Sequence, residues 1–316
     1  MTLPDAQAGR VQRILVIKLG ALGDVVLAMG PFAAIRNCHS DAHITLLTTP
    51  PFAALLNNSP WFDEIQAEDR APLWKPGVWL GLRRWLRAGA FNRVYDLQTS
   101  DRSGWYFRLM GPGPRPEWSG IAPGCSHPHA NPDRDFMHTI ERQAEQLRMA
   151  GIDNVPDADL SWIDADTSRF GLSDRYALLV PGGAPHRPAK RWPAERYAAL
   201  AVKLWTQGIQ PVVLGGAAER AIGETIAAEC PEVRDLTGQT SMADIAVLAR
   251  HAACAIGNDT GPMHFIVAAG CPSVVLFSAE SDPALTAPRG PAVTVLRETD
   301  LATLPVESVE AALTLR

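Results

Sequence analysis

The chain has 316 residues, of which 47% are hydrophobic and 20% charged, and its formal net charge is −5. This composition is typical of a folded globular protein and argues against a disordered chain. Neither half has an excess of basic residues, which argues against a nucleic-acid partner. The length predicts two domains, an N-terminal one at residues 1–160 and a C-terminal one at residues 161–316.

The sequence predicts a cytoplasmic protein. No run approaches the about 18–20 apolar residues that span a bilayer. The N-terminal stretch MTLPDAQAGRVQR has no apolar core behind a basic segment, so we expect no secretory signal. The five cysteines have neither CxxC nor CxxH spacing, which predicts reduced thiols and not disulfides or a zinc site. They are Cys38, Cys125, Cys230, Cys254 and Cys271.

Strands and helices alternate along the first half. Glycines at 20 and 23 mark a turn between the first strand and the first helix. Residues 111–135 are rich in Pro and Gly and are expected to form a loop, and residues 151–164 a linker. The predicted strands are 13–17, 43–47 and 93–97, and the predicted helices are 24–36, a short one from 50, and 135–149.

The alternation restarts in the second half, which indicates a second parallel sheet covered on both faces. The fold class is therefore α/β, with two Rossmann-like, doubly wound sheets whose ligands bind beyond the carboxyl ends of the strands. We expect the site in the cleft between the domains. The predicted strands are 176–180, 211–214, 253–256 and 273–277; the helices are 194–207, 218–229, 241–250, 263–269 and 308–315. The last helix stays with its own domain or packs back on the N-terminal one.

The first turn, KLGALGD, places Asp24 between a strand and a helix. Gly20 and Gly23 lack the third glycine of a dinucleotide fingerprint, which argues against a nicotinamide cofactor. Asp24 has two compatible interpretations. It is a first-turn acid favoured by the helix dipole, or it is an ionised carboxylate that serves as a general base.

The segment PGGAPHRPAKRWP follows the strand YALLV. Gly182 and Gly183 permit close approach of the backbone to a ligand, and Lys190 and Arg191 add positive charge before a helix that begins near Pro193. Together these features suit a diphosphate. The alternative is a solvated loop with surface cations.

In VVLGGAAE a strand is followed by Gly215, Gly216 and then Glu219, which opens a helix. A carboxylate at that point can accept hydrogen bonds from the two hydroxyls of a ribose. The alternative is that Glu219 is an ordinary acid of a first helical turn.

The segment GNDTGPMH follows another buried strand. Asp259, Thr260 and Gly261 stand where a helix begins, so free N–H groups and a hydroxyl form a cradle for an anion. His264 shares that turn and is a ligand contact or a structural histidine. No DxD-like pair follows a strand to hold a metal, so protein cations and helix dipoles would stabilise a leaving diphosphate.

A stretch from residue 74 to 96 mixes tryptophans with basic residues. Read as a helix from about Val78, it carries Arg83, Arg84 and Arg87, which suit a membrane interface or an anionic, lipid-linked partner. An ordinary core-facing helix with a solvated arginine side is the alternative.

Taken together, the motifs resemble those of glycosyltransferase family 9, the ADP-heptose:lipopolysaccharide heptosyltransferases. The similarity rests on IKLGALGDVVLAMGP, GAPHRPAKRWP, LGGAAE, LTGQTSMADIAVL and GNDTGPMHFIVAAGCPSVVLF, which follow the family order from about residue 14 to 283. The chain departs from the family in FSAESDP, where relatives have FGPTDP, and in Gly20–Ala21, where many have serines.

The resemblance implies a GT-B fold and an inverting, metal-independent transfer of heptose from ADP-heptose to a lipid-linked lipopolysaccharide inner-core acceptor, with no cofactor. It implies that Asp24 is the catalytic base and that Lys190 binds phosphate. The remaining donor-binding residues are Gly182, Glu219, Asp259, Thr260, Gly261 and His264; Gly23, Arg83, Arg84 and Arg87 are assigned to the acceptor. A peripheral contact with the inner membrane is expected if the stretch of tryptophans and arginines is a membrane interface. The alternatives are another family 9 sugar transferase, a nucleotide-sugar epimerase and a non-catalytic sugar-nucleotide-binding protein.

Overall fold

The computed structural model describes residues 11–72, 74–183 and 187–316, which form two compact units. The first unit contains the residues up to Gly20 together with Ala28–Asp157. The second contains Ala158–Arg316 together with Ala21–Leu27. The short helix that carries Asp24 therefore packs with the second unit.

The first unit is built on six parallel strands in the order β3-β2-β1-β4-β5-β6. In β1, β2 and β4 every residue after the first is buried, as expected for a sheet covered on both faces. The strands are β1 (Arg13–Ile17), β2 (His43–Thr48), β3 (Glu64–Ala67), β4 (Arg93–Asp96), β5 (Glu117–Gly120) and β6 (His127–Pro128). The helices are α1 (Leu22–Val26, grouped with the second unit), α2 (Met29–Cys38), α3 (Pro50–Leu56), α4 (Pro76–Ala88), α5 (Asp101–Leu109) and α6 (Thr139–Met149).

The single helix predicted over 24–36 is two helices. α1 ends at Val26 and α2 begins at Met29. Pro31 lies in the first turn of α2, and its ring would clash with the carbonyl of Leu27 four residues earlier if the helix were continuous. Proline thus forces the break that hydrophobic periodicity does not reveal.

The loop predicted over 111–135 contains β5 and β6, so that prediction was wrong for these segments. Both strands are short, and proline and glycine surround them. Trp118 of β5 is fully buried and lies edge-on against Phe107, with ring centroids 5.2 Å apart. Tertiary packing of one large side chain therefore outweighs the local turn signals.

The second unit repeats this architecture with six parallel strands in the order β12-β11-β10-β7-β8-β9. The strands are β7 (Tyr176–Val180), β8 (Gln210–Val213), β9 (Arg234–Asp235), β10 (Cys254–Asn258), β11 (Ser273–Phe277) and β12 (Val293–Arg297). The helices are α7 (Ala194–Thr206), α8 (Arg220–Glu229), α9 (Met242–His251), α10 (Gly261–Ala268), α11 (Pro283–Thr286) and α12 (Val306–Ala311). Val309 of α12 is fully buried in the core of this unit, so the last helix packs there.

Each sheet reverses its strand order between two central strands. The reversal falls between β1 and β4 in the first unit and between β7 and β10 in the second. Loops that leave the carboxyl ends of such a strand pair run in opposite directions and open a crevice. In the second unit the loops at this point are the two that begin at Pro181 and Asp259.

None of the helices within residues 11–72, 74–183 and 187–316 has the length and apolar character required to traverse a lipid bilayer.

Candidate active site

A cavity of about 530 Å³ opens at the carboxyl ends of β7, β8 and β10 in the second unit. This volume lies within the range of pockets that hold small-molecule ligands and cofactors. The loops of three separate motifs line it: Gly182, Gly183 and Lys190; Gly215, Gly216 and Glu219; Asp259, Thr260 and Gly261. The structure thus brings together six of the seven residues expected to bind the donor. The seventh, His264, lies one turn further along α10.

Lys190 forms an ion pair with Asp259, with 2.6 Å between Lys190 Nζ and Asp259 Oδ2. The hydroxyl of Ser281 donates to the same oxygen at 2.7 Å. The other carboxylate oxygen, Oδ1, lies 4.0 Å from His264 Nε2. The side chains of Lys190 and Asp259 are only 13% and 9% exposed, so solvent screens their attraction weakly.

Asn258 connects the loops that carry these groups. Its side chain is fully buried at the end of β10. Its Nδ2 atom donates to the carbonyls of Pro181 and Gly182, at 2.8 and 3.0 Å. Its Oδ1 atom accepts from the backbone N–H of Trp192 at 3.0 Å. A buried amide with all these partners fixes the glycine loop relative to the segment that carries Lys190.

Thr260 is the residue that precedes the first turn of α10. Its Oγ1 atom is buried and has no hydrogen-bond partner among the described residues. Buried polar atoms are normally paired, and one that lines a cavity without a partner is poised for a ligand. The hydroxyl and the start of the helix lie together at the point where the sequence predicts an anion cradle.

Glu219 is held against two glycines. A Cβ atom at Gly182 would lie 2.8 Å from Glu219 Cγ, and one at Gly215 would lie 2.9 Å from Glu219 Cβ. Its Oε2 atom accepts a hydrogen bond from the N–H of Gly216 at 2.8 Å. The absence of side chains at these two positions therefore makes room for a carboxylate at the wall of the cavity.

Asp24 approaches this site through the contact between α1 and α10. A Cβ atom at Gly23 would lie 2.9 Å from His264 Cδ2, and one at Gly261 would lie 2.7 Å from Leu22 Cβ. Asp24 is partly exposed, and its Oδ2 atom accepts a hydrogen bond from the N–H of Ala21 at 3.0 Å. Ala21 itself lines the cavity. The carboxylate is therefore held at the first turn of a helix that begins beside the cavity.

The three arginines assigned to the acceptor lie on α4 in the first unit and are not part of this cavity. Arg83 is partly buried and donates to the carbonyl of Gly111 at 3.0 Å. Arg84 and Arg87 are exposed. Arg191, the second cation of the basic pair, donates to the carbonyl of Gly183 and so supports the glycine loop.

Sequence reasoning missed several residues of the site. Asn258 was visible only as part of the GNDTGP segment, where its polarity at the end of a buried strand is the signal. Ser281 lies in FSAESDP, a segment noted for its departure from the family. Arg187, Met242 and Ile245 also line the cavity, and no local pattern distinguishes them.

Residues 79–312 match the family model for glycosyltransferase family 9 (heptosyltransferase). The chain is 27% identical over 310 residues to lipopolysaccharide heptosyltransferase 2 of Escherichia coli K12, covering 90% of this chain and 88% of that protein. The structure of E. coli ADP-heptose lipopolysaccharide heptosyltransferase II is similar with a TM-score of 0.78 and 22% identity, over 95% of this chain and 97% of that one. E. coli heptosyltransferase WaaC, solved with ADP, gives a TM-score of 0.75 and 19% identity, over 95% and 98%.

The structural likeness confirms the predicted fold class: two Rossmann-like, doubly wound parallel sheets of the GT-B type. The protein is a glycosyltransferase. Because the family model matches most of its length, the chain belongs to glycosyltransferase family 9.

Proposed function

We propose that the protein transfers a heptose from ADP-heptose to an inner-core sugar of a lipopolysaccharide acceptor. The observation that carries this proposal is the meeting of Lys190, Glu219 and the start of α10 in one cavity. These groups match the parts of a nucleotide sugar: a cation and a helix start for the diphosphate, and a carboxylate for the ribose hydroxyls. Of the two solved structures described above, one is named as an ADP-heptose lipopolysaccharide heptosyltransferase and the other contains ADP, which supports adenine as the base.

The proposed reaction is an inverting displacement without a metal ion. Asp24 removes the proton from an acceptor hydroxyl as that oxygen attacks the anomeric carbon, and ADP leaves from the opposite face. General-base assistance of this kind contributes about 10²–10⁴-fold to the rate. The position of Asp24 on α1 supports this role, because the neighbouring Gly23 packs directly against His264 of α10.

The leaving ADP carries charge that must be stabilised without a metal. Lys190 supplies a full positive charge, and Thr260 supplies a hydroxyl at the start of α10. Fixed groups of this kind need no reorganisation as the charge develops, which is why they lower barriers. Asp259 precedes α10 and His264 lies one turn into it, and we assign both to contacts with the sugar.

A lipid-linked acceptor implies that the protein works at a membrane surface, and we assign that contact to α4. On one side of α4, Leu80, Arg84 and Arg87 are exposed at helical spacing, and Trp74 just before it is 81% exposed. The opposite side, with Trp79 and Trp85, packs on the core of the first unit. Exposed apolar and basic side chains together are typical of a helix that lies on anionic lipid. Arg83 is assigned with Arg84 and Arg87 to the anionic acceptor.

Two other functions use the same kind of cavity. A nucleotide-sugar epimerase would convert the donor with no acceptor present, and a sugar-nucleotide-binding protein would bind it without turnover. The family membership and the carboxylate on α1 favour the transferase.

A thermal-shift screen tests the donor directly. ADP, UDP, GDP and CMP are compared at equal concentrations, first alone and then as their sugars. The proposal predicts that ADP stabilises the protein and that ADP-heptose stabilises it further, because a ligand that binds only the folded state raises its unfolding free energy. A preference for UDP-sugars would overturn the assigned donor.

A further inference from the structure

Ser281 shares one carboxylate oxygen with Lys190. Both Lys190 Nζ and Ser281 Oγ donate to Asp259 Oδ2, at 2.6 and 2.7 Å. Ser281 is not in the segments that carry the diphosphate motif. It lies in the connection between β11 and α11.

The arrangement has an electrostatic consequence for donor binding. The charge of Lys190 is balanced by Asp259, and both side chains are largely buried. A diphosphate that attracts Lys190 weakens this ion pair. Leaving a buried carboxylate oxygen without a partner is costly, whereas an oxygen that keeps a second donor loses less.

The connection that carries Ser281 is itself anchored. The N–H of Glu280 donates to Ser278 Oγ at 3.2 Å, and the N–H of Ala284 donates to Asp282 Oδ1 at 3.1 Å, which caps α11. These bonds hold the turn without using the Ser281 hydroxyl. The hydroxyl is therefore available for Asp259 and is not required to maintain the turn.

We propose that Ser281 is a positioning residue that keeps Asp259 hydrogen-bonded when Lys190 moves from Asp259 to the diphosphate of the donor. The inference rests on the proposed function, because it takes a nucleoside diphosphate as the ligand. Ser281, which lies outside the diphosphate motif, then determines how readily Lys190 leaves Asp259 for the diphosphate.

The test compares the affinities of ADP and adenosine, measured by calorimetry, for the wild-type protein and for Ser281→Ala. Adenosine lacks the diphosphate and does not compete for Lys190. The removal of a hydrogen bond to a charged group is expected to weaken ADP binding about tenfold and to leave adenosine binding unchanged. Ser281→Thr keeps the hydroxyl and is expected to restore ADP affinity.

Thr286→Val is the matched control, since it removes a hydroxyl of α11 that donates to the carbonyl of Asp282 and not to Asp259. It should leave the ratio of the ADP and adenosine affinities as in the wild type. Two results would overturn the role of Ser281. One is an unchanged ratio of the ADP and adenosine affinities in Ser281→Ala, and the other is a Ser281→Thr variant that does not regain ADP affinity. A wild-type protein that binds no ADP would overturn the proposed donor as well, so the two failures are distinguishable.

Discussion

Gly23 of α1 lies directly against the imidazole of His264 on α10: a Cβ atom at Gly23 would come within 2.9 Å of His264 Cδ2. The reciprocal contact has Gly261 against Leu22. Two glycines thus allow the helix that carries the proposed base to pack closely on the helix that begins at the cavity.

Gly23→Ala should lower kcat/KM about 10- to 100-fold. The added methyl group must displace α1 or the His264 ring, and a displacement of about 1 Å at a reacting group has an effect of this size. ADP affinity should stay unchanged, because Lys190, Glu219 and Thr260 are not touched. The matched control is Gly104→Ala on α5, where a Cβ atom would meet no heavy atom within 4 Å. Equal activity of the two variants would show that the close contact is irrelevant to turnover.

Lys190 and Glu219 should affect different parts of the nucleotide. Lys190→Ala should weaken ADP binding about 10- to 100-fold, the usual cost of a lost hydrogen bond to a charged group, and leave adenosine binding unchanged. Glu219→Ala should weaken ADP and adenosine by the same factor, because both ligands carry the ribose. Calorimetric titration of the two variants with both ligands measures this. A Glu219→Ala effect confined to ADP would contradict the ribose assignment.

The α4 surface should bind anionic vesicles. We expect the protein to sediment with vesicles of phosphatidylcholine and phosphatidylglycerol and not with phosphatidylcholine alone. Arg84→Glu combined with Arg87→Glu should weaken this binding about 30-fold or more, since each basic residue near such a surface contributes about 1 kcal/mol. Arg148→Glu combined with Arg234→Glu makes the same charge change at exposed positions elsewhere and serves as the control. If both double variants bind equally, α4 is not the contact.

Asp96 should give the fold a measurable pH dependence. This residue is fully buried at the end of β4, and burial raises the pKa of its carboxyl to about 6, against hydrogen bonds from Ser103, Thr99 and Gln98 that favour the charged form. The unfolded chain has the ordinary pKa of about 3.9. Between these values the folded state binds more protons, so this contribution to stability is greatest below about pH 4 and is lost as the pH rises to about 6.

Asp96→Asn removes that proton uptake. The difference in unfolding free energy between the wild type and the variant should therefore shift in favour of the variant, by about 2 kcal/mol, as the pH rises from 4 to 7. Urea unfolding at several pH values measures the shift. Parallel curves for the two proteins would show that Asp96 titrates normally in the fold.

The sequence was sufficient for the strands that are buried on both faces. β1, β2, β7 and β11 appear as continuous apolar runs, and the structure has them within one residue of the predicted ends. The sequence did not predict β3 or β12, whose residues are mostly only partly buried and therefore lack a continuous apolar run. The pattern of apolar residues in the sequence indicates which strands are buried, whereas an edge strand is determined by its pairing with a neighbouring strand.

The sequence predicted the part of the candidate site that lies directly after the ends of strands. The carboxyl ends of parallel strands meet at one edge, so the sequence alone assigns three separated motifs to one site. The ion pair between Lys190 and Asp259 and the third partner Ser281 were not predictable, because they depend on side chains from distant segments. The grouping of Asp24 with the second unit, through Gly23 and His264, was also hidden, since it depends on contacts between helices far apart in sequence.

The most direct test of the central claim is the rate of heptose transfer from ADP-heptose to a lipopolysaccharide inner-core acceptor, followed by the mass of the acceptor and the release of ADP, for the wild type and for Asp24→Asn. Asparagine retains an oxygen for the N–H of Ala21 but cannot take a proton. The wild type should add one heptose for each ADP released, and the variant should bind ADP normally yet turn over at least about 100-fold more slowly. Absence of transfer by the wild type, or near-full activity of Asp24→Asn, would contradict the account.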